Sequence, residues 1–350
     1  MEIKSFYEEV DLSAMAKLSL ENYGEDNAIS DVGFLKWQYL ENPAGKAYVM
    51  TAYSDDGRLV GEFAQIPLRF NLNGQTALAG NFVNTLINKS DRDAALFYKL
   101  HKEAFDRCGE LAFCFSMPNP NSQPLFLKLL KCKLATHIPL IMLPMRPRAL
   151  ARKMVNKTLG LFVPGFVYKG FASGGKNVTV SEFNIDKDGA LIDEFWGKIK
   201  NKYKVFGVRD LELFKWRYFK NPIREYKVFL VFDKDGMAGY SVVRVLDVQG
   251  VKNGMIVDFV VQDGAAEPAK ALLKKSISYF AAEKCELCGC LMLSHTEEYK
   301  YIKKAGFIRC PDRFLPQPFP LTVKITDASY EDLVMNAENW FVTMGDYDVV

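Results

Sequence analysis

The segment Phe34-Leu-Lys-Trp-Gln-Tyr-Leu-Glu-Asn-Pro43 returns later in the chain as Leu213-Phe-Lys-Trp-Arg-Tyr-Phe-Lys-Asn-Pro222. Lys, Trp, Tyr, Asn and Pro coincide at one constant offset. The register then runs on, with Val49 meeting Val228 and the turn Asp56-Gly57 meeting Asp235-Gly236 after an apolar run in each copy. Self-similarity over such a span means one structural plan used twice. A chain of 350 residues is also long for a single core and fits two domains of roughly 100 to 200 residues each.

Each copy reads alike. A short amphipathic helix, with Leu35, Trp37 and Tyr39 able to face a core, stops at Asn-Pro because the proline ring disfavours helical geometry in the residue before it. β-rich runs follow: Tyr48–Tyr53, Leu59–Asn71 and Ala77–Ile87 in the first copy, Lys227–Phe232, Gly239–Val248 and Met255–Val261 in the second. Glycine-containing turns separate those of the first copy. Then comes a helix, Asp93–Cys108 or Ala265–Lys284, and a short apolar strand, Leu111–Ser116 or Cys290–Ser294. The order predicts a mixed α/β (α+β) class, with two tandem domains built on largely antiparallel central sheets. Between the copies, a basic then aromatic stretch ends at the flexible break Ala172-Ser-Gly-Gly-Lys-Asn177. This predicts an N-terminal domain at 1–145, a linker at 146–177 and a C-terminal domain at 178–350. Ala149–Leu161 reads as a connector helix in preference to one lying on a membrane surface.

Lys and Arg number 45 against 42 Asp and Glu, a net charge of +3, which argues against a nucleic-acid partner. The longest apolar stretches are strand-sized, short of the roughly 20 residues that span a bilayer. The first ten residues carry acids where an export signal wants a basic region, so the expectation is a cytoplasmic protein with reduced cysteines. Cys285-x-x-Cys288-x-Cys290, with His295 and Cys310 nearby, lacks the second paired knuckle of a zinc site and reads as small buried hydrophobes; no metal is expected. His101, His137 and His295 belong to no nucleophile or metal motif.

The Trp-x-Tyr-x-x-Asn-Pro helix, the antiparallel meander, the helix opening after the third long run, and Met117-Pro-Asn-Pro-Asn-Ser-Gln-Pro124 before a late helix resemble the GNAT superfamily of acyl-CoA N-acyltransferases. The likeness extends to the tandem-domain members often linked with surface-polysaccharide pathways. It implies that acetyl-CoA or another acyl-CoA lays its pyrophosphate on the backbone N–H groups that start the helix after the long strand, where the helix dipole favours anions. Leu86, Asn88, Arg92, Ala94, Ala95 and Leu96 occupy that place, with Ala95 where the family has a glycine and with Asp93 adding an opposing charge. Asn119 and Ser122 stand where the family flanks the pantetheine arm, although a helix cap explains Ser122 equally well. The second copy's segment Asp263-Gly-Ala-Ala-Glu-Pro-Ala269 has no arginine and reads as a lost cofactor loop.

The resemblance implies transfer of an acyl group to an amine acceptor of the amino-sugar or amino-acid-derivative class, held in a cleft between domains. That chemistry needs a base for the ammonium and a donor near the leaving thiolate. Asp258, alone in the apolar run Ile256-Val-Asp-Phe-Val, and Tyr299 or Tyr301 are the candidates, with Tyr301 preferred; a hydrogen-bonded structural carboxylate is the plainer reading of Asp258. The tail Trp340–Asp348 resembles relatives whose aromatic and acidic terminus tucks beside the second domain, with Asp346 and Asp348 as a pair for a cationic acceptor. Two rivals stay open: a non-catalytic scaffold with a degenerate cofactor loop, and an aminoacyl-tRNA-dependent peptide-bond-forming enzyme, which the near-neutral charge disfavours.

Overall fold

A computed structural model of the protein describes residues 2–6, 11–25, 27–106, 110–154, 164–168 and 175–347. Cys108, the connector beyond Met154, residues 172–174 of the break and Asp348 lie outside them. The described chain forms two compact units that interleave along the sequence: unit 1 is Met1–His137, Tyr203–Arg224 and Gln317–Trp340, and unit 2 is Ile138–Lys202, Glu225–Pro316 and Phe341–Val350.

Unit 1 begins with β1 (Glu2–Phe6), α1 (Leu12–Tyr23) and α2 (Val32–Leu40), continues through β2 (Tyr48–Tyr53), β3 (Leu59–Leu72), β4 (Gln75–Ile87), α3 (Ala94–Asp106) and β5 (Phe113–Ser116), and passes α4 (Gln123–Lys128) to β6 (Lys133–His137). Its sheet runs β1-β2-β3-β4-β5-β15-β6, where β15 (Pro320–Ile325) comes from far along the chain and pairs antiparallel with both β5 and β6. On one face α1 and α2 bury Met15, Leu18, Phe34, Leu35, Trp37 and Tyr39 against Val49, Ala64, Ile66 and Leu86. On the other, α3 buries Leu96, Phe97, Leu100 and Ala104 against Val60, Phe63 and Phe82. The repeated helix of the second copy also lies in unit 1, as α7 (Leu211–Phe214) continued by a π-helical turn, Lys215–Phe219. Both repeated helices start the same way: Asp31 Oδ1 accepts the Phe34 N–H at 2.7 Å, and Asp210 Oδ1 accepts the Leu213 N–H at 3.0 Å. These side chains satisfy donors that a helix start leaves unpaired.

Unit 2 takes β7 (Leu140–Pro144), α5 (Pro147–Met154), β8 (Thr179–Glu182) and α6 (Ile185–Ile199). After β9 (Val205–Gly207), which joins β3 of unit 1, it adds β10 (Lys227–Asp233), β11 (Gly236–Val248), β12 (Val251–Val261), α8 (Ala266–Ala282), β13 (Leu287–Leu291), α9 (Glu297–Lys304) and β14 (Ile308–Arg309). The sheet order is β14-β7-β13-β12-β11-β10-β8. The strand expected at Cys290–Ser294 lies three residues earlier, because β7 clamps it antiparallel from Leu287 to Leu291 while the start of β12 pairs it in parallel. In each copy the long hairpin closes on two residues of positive φ, Asn73 (52°) with Gly74 (95°) and Gln249 (53°) with Gly250 (76°), the geometry that matches strand twist.

Each sheet holds a parallel pair whose pairing lasts three residues. β4 meets β5 over Ala79–Asn81, and β12 meets β13 over Asn253–Met255. Beyond that point the two strands part, so that from Phe82 onward the β4 edge facing β5 has no strand partner among the described residues.

Candidate functional site

Just past the parting, β4 takes one extra residue. Glu62 opposes Leu86 and Ala64 opposes Val83, and Asn84 in the bulge adopts φ 53°, a conformation asparagine tolerates better than most residues. The Asn84 amide donates to Gln38 Oε1 at 2.6 Å and to Tyr39 Oη at 2.8 Å, both on α2. β12 bulges correspondingly between Asp258 and Ile256. A bulge beside a strand split re-aims the side chains on either side of it.

Leu86 is buried and anchors the strand end, while the loop that follows is held by side chains. The Asn88 N–H donates to the Val60 carbonyl at 2.8 Å, and its amide donates to Ser90 Oγ and Asp91 Oδ2, each at 2.8 Å. Asn22 of α1 ties the loop down by accepting the Lys89 N–H at 3.1 Å. Arg92 is exposed, donates weakly to the Ile87 carbonyl at 3.4 Å, and has no carboxylate within ion-pair distance among the described residues. Ala94 and Ala95 lie exposed at the start of α3, with Leu96 turned into the core. The Ala95 N–H donates to the exposed Asp93 carboxylate at 3.1 Å. Asn119 and Ser122 follow β5, where Asn119 Oδ1 accepts the N–H groups of Asn121 and Ser122 at 3.0 Å each. Ser122 makes no side-chain cap to α4.

The same place in the second copy is filled from within. The Gly264 N–H before α8 donates to both Glu297 oxygens, at 3.2 and 3.3 Å. Glu297 also accepts from Lys202 at 3.2 Å and from the Tyr301 hydroxyl at 2.6 Å. Lys202 is largely buried and bridges onward to Glu298 at 2.9 Å and to the Val261 carbonyl at 2.9 Å. Burial works against the Lys202 ammonium, but Glu298, Glu297 and Asp263 outweigh it and hold its pKa above the ordinary value. Burial, reinforced by the bond to Glu297, raises the Tyr301 phenol.

Asp258 is buried on β12, where Oδ2 accepts from the Tyr240 hydroxyl at 2.9 Å and Oδ1 from Thr343 Oγ1 at 3.0 Å. Thr343 belongs to the tail, whose Asp346 closes a capping box by accepting the Thr343 N–H at 3.0 Å. Asp258 and Tyr301 therefore sit in unit 2, whereas Leu86 to Leu96, Asn119 and Ser122 sit in unit 1. The six described cysteines are buried free thiols, and no group of His, Cys, Asp or Glu among the described residues is arranged to hold a metal. No helix among them is long and apolar enough to cross a membrane.

Two buried groups of unit 1 belong to none of the sequence motifs. His101 of α3 is fully buried between Phe63 and Phe97, with ring centroids 4.0 and 4.1 Å away, and its ring nitrogens lie 2.8 Å from the Phe97 carbonyl and 3.2 Å from Thr85 Oγ1. Burial pushes it down to about 3, so the ring is neutral. Glu62 of β3 is fully buried, and neither carboxyl oxygen has a hydrogen-bond partner. Its sequence signal was a lone acid in the apolar run Leu59-Val-Gly-Glu-Phe-Ala64, the same signal that singled out Asp258.

A mixed sheet with a parallel pair that parts after three residues, a helix rising from the loop beyond the bulged strand, and the whole plan used twice, is the fold of the GNAT-type N-acyltransferases. Solved structures of this fold include N-myristoyltransferase of Saccharomyces cerevisiae with bound myristoyl-CoA, at 11% identity and a TM-score of 0.61 over 92% of this chain and 82% of that one. A probable N-acyltransferase from Enterococcus faecalis matches at 11% identity and 0.61 over 97% of this chain and 75% of that one. A GCN5-related N-acetyltransferase from Anabaena variabilis matches at 11% identity and 0.59 over 93% and 73%. No protein-family model matches the chain, and no curated protein matches it in sequence.

Proposed function

We propose that the protein is an N-acyltransferase that moves an acetyl or other acyl group from acyl-CoA to an amine, with the thioester held by the first copy. The observation that carries this reading is the contrast between the two helix starts. Before α3 the anion-favouring end meets the exposed Asp93 and stands beside Arg92, which has no carboxylate partner among the described residues, whereas before α8 a clamped internal carboxylate already takes the Gly264 N–H. Exposed amides, a helix dipole and a guanidinium suit a pyrophosphate. In this reading Leu86 and Asn88 shape the loop, Arg92 and the N–H groups of Ala94, Ala95 and Leu96 meet the phosphates, and Asn119 and Ser122 border the pantetheine arm.

Asp258 and Tyr301 serve this proposal as holding groups in the second copy, since each is already committed to buried or half-buried hydrogen bonds. An amino sugar or amino-acid derivative is the acceptor class that the resemblance brings. Asp93 favours the rival reading of a scaffold, because its carboxylate occupies the Ala95 N–H that a phosphate would need. Calorimetric titration with acetyl-CoA and myristoyl-CoA, repeated on Ala95→Glu, separates the two. Saturable binding that the substitution abolishes supports acyl transfer from the first copy; absence of binding at millimolar thioester favours the scaffold.

A further inference from the structure

Glu62 is costly where it stands. A carboxyl taken out of water without a partner is among the least favourable groups a core can hold, and such a group calls for an explanation. Leucine would fill the position at lower cost. The flanking strand residues, Thr51 on β2 and Leu86 on β4, bring no charge. Tyr23 at the end of α1 feels the charges of both Arg92 and Glu62. Burial alone keeps the Glu62 carboxyl protonated well above the usual carboxylate range.

Its place in the fold is specific. Glu62 lies across one strand pairing from Leu86, about 4.8 Å between backbones, at the point where β4 bulges and leads into the loop that ends at Arg92. Asn22, next to Tyr23 at the end of α1, is joined to that loop by the Lys89 N–H and by its own amide. Tyr23 is half exposed and Arg92 exposed.

We propose that Glu62 is the carboxyl group that receives the acceptor amine in the first copy and takes its proton, an inference that rests on the acyl-transfer reading above. A bound ammonium gives the carboxylate the partner it lacks. On entry of R–NH3+ the Glu62 proton passes to solvent, leaving an ion pair; the ammonium then returns a proton to Glu62, giving R–NH2 and the neutral acid. The amine lone pair attacks the thioester carbonyl, the C–N bond forms, the C–S bond breaks, and the thiolate leaves with the proton shed by the new amide nitrogen. A neutral acid before and after turnover matches the buried site, and a general base of raised pKa matches an amine whose proton is held tightly.

The test compares wild type with Glu62→Gln and Glu62→Asp, using acetyl-CoA and a panel of primary amines: glucosamine, spermidine, glycinamide and Nα-acetyl-lysine. Acetyl-CoA binding is read by calorimetry, and acyl transfer by thiol release across pH. The expected result is unchanged acetyl-CoA binding, a loss of about 100-fold or more in kcat/KM for Glu62→Gln, disappearance of the rising limb of its pH profile, and partial recovery in Glu62→Asp. Glutamine mimics the protonated acid, so this variant is expected to fold. Turnover by Glu62→Gln within about threefold of wild type, far less than a lost base costs, overturns the inference and leaves the acyl-transfer reading standing. No acetyl-CoA binding by wild type removes that reading itself. Binding with no thiol release by any amine overturns the assignment of an amine to Glu62.

Discussion

Trp37 and Trp216 exchange hydrogen bonds: each indole N–H donates to the backbone carbonyl of the other, at 2.8 and 3.0 Å, with the rings stacked 4.7 Å apart at 17°. They are the tryptophans of the two repeated segments, and they meet inside unit 1 as a local two-fold pair. The most visible repeat in the sequence is thus also a point of self-contact.

This pairing predicts coupled stabilities. Trp37→Phe and Trp216→Phe each remove one donor and leave a buried carbonyl unsatisfied, at a cost of about 1–3 kcal/mol each. The double variant is expected to lose less than the sum, because the stack is already broken in either single one. Urea unfolding of all four proteins measures the difference, and strict additivity would contradict the reciprocal contact.

Glu62 sets one side of the pH dependence of stability. Its folded-state pKa lies well above the ordinary 4.5, so its contribution is fully present below about pH 4.5 and is lost as pH rises toward the folded value. Glu62→Gln is therefore expected to melt higher than wild type at pH 8, with the gap closing toward pH 4.5. Thermal melts across that range decide it, and a pH-independent gap would mean that Glu62 is not held neutral.

His101 sets the opposite side. Its pKa falls from 6.5 to about 3, so the stability associated with the neutral ring is present above pH 6.5 and drains away as pH falls toward 3. His101→Phe keeps the stacking with Phe63 and Phe97 and lacks the titration. It is expected to lose some stability at pH 7 with the bond to Thr85, and to flatten the acid limb in denaturant titrations between pH 6.5 and 4.

Glu297 predicts a stoichiometry. With the Glu297 carboxylate bridging Gly264, Lys202 and Tyr301, the Gly264 N–H before α8 is already taken, and acetyl-CoA is expected to bind once per chain. Native mass spectrometry reads this directly, and two bound molecules would show that the internal carboxylate gives way. Glu297→Ala should also cost about 1–3 kcal/mol, as Lys202 and Tyr301 lose a shared partner.

Asp258→Asn replaces an acceptor of hydroxyl protons with a group that presents an amide donor to Tyr240 or Thr343. A destabilisation of about 1–3 kcal/mol is expected, with acetyl-CoA affinity unchanged. Unchanged stability in chemical unfolding would remove the holding role given to this carboxylate.

What the sequence determined by itself is what short-range chemistry controls. The Lys-Trp-x-Tyr repeat announced two copies, Asn-Pro marked where each repeated helix ends, and alternating apolar runs marked the long strands, because helix stops, turns and strand patterning depend on neighbours a few residues away. The loop from Leu86 to Leu96 was legible for the same reason, as a contiguous strand end, turn and helix start. Pairing between distant segments decided the rest. β7 pairs into the sheet of unit 2, which places β13 at Leu287–Leu291, and β15 pairs into the sheet of unit 1. Asp258 and Glu62 carry the same sequence signal, a lone acid in an apolar strand, yet tertiary contacts give Asp258 two hydroxyl donors from distant residues and give Glu62 none. A carboxyl's charge state depends on what surrounds it in three dimensions, and that surrounding exists only once the strands have paired.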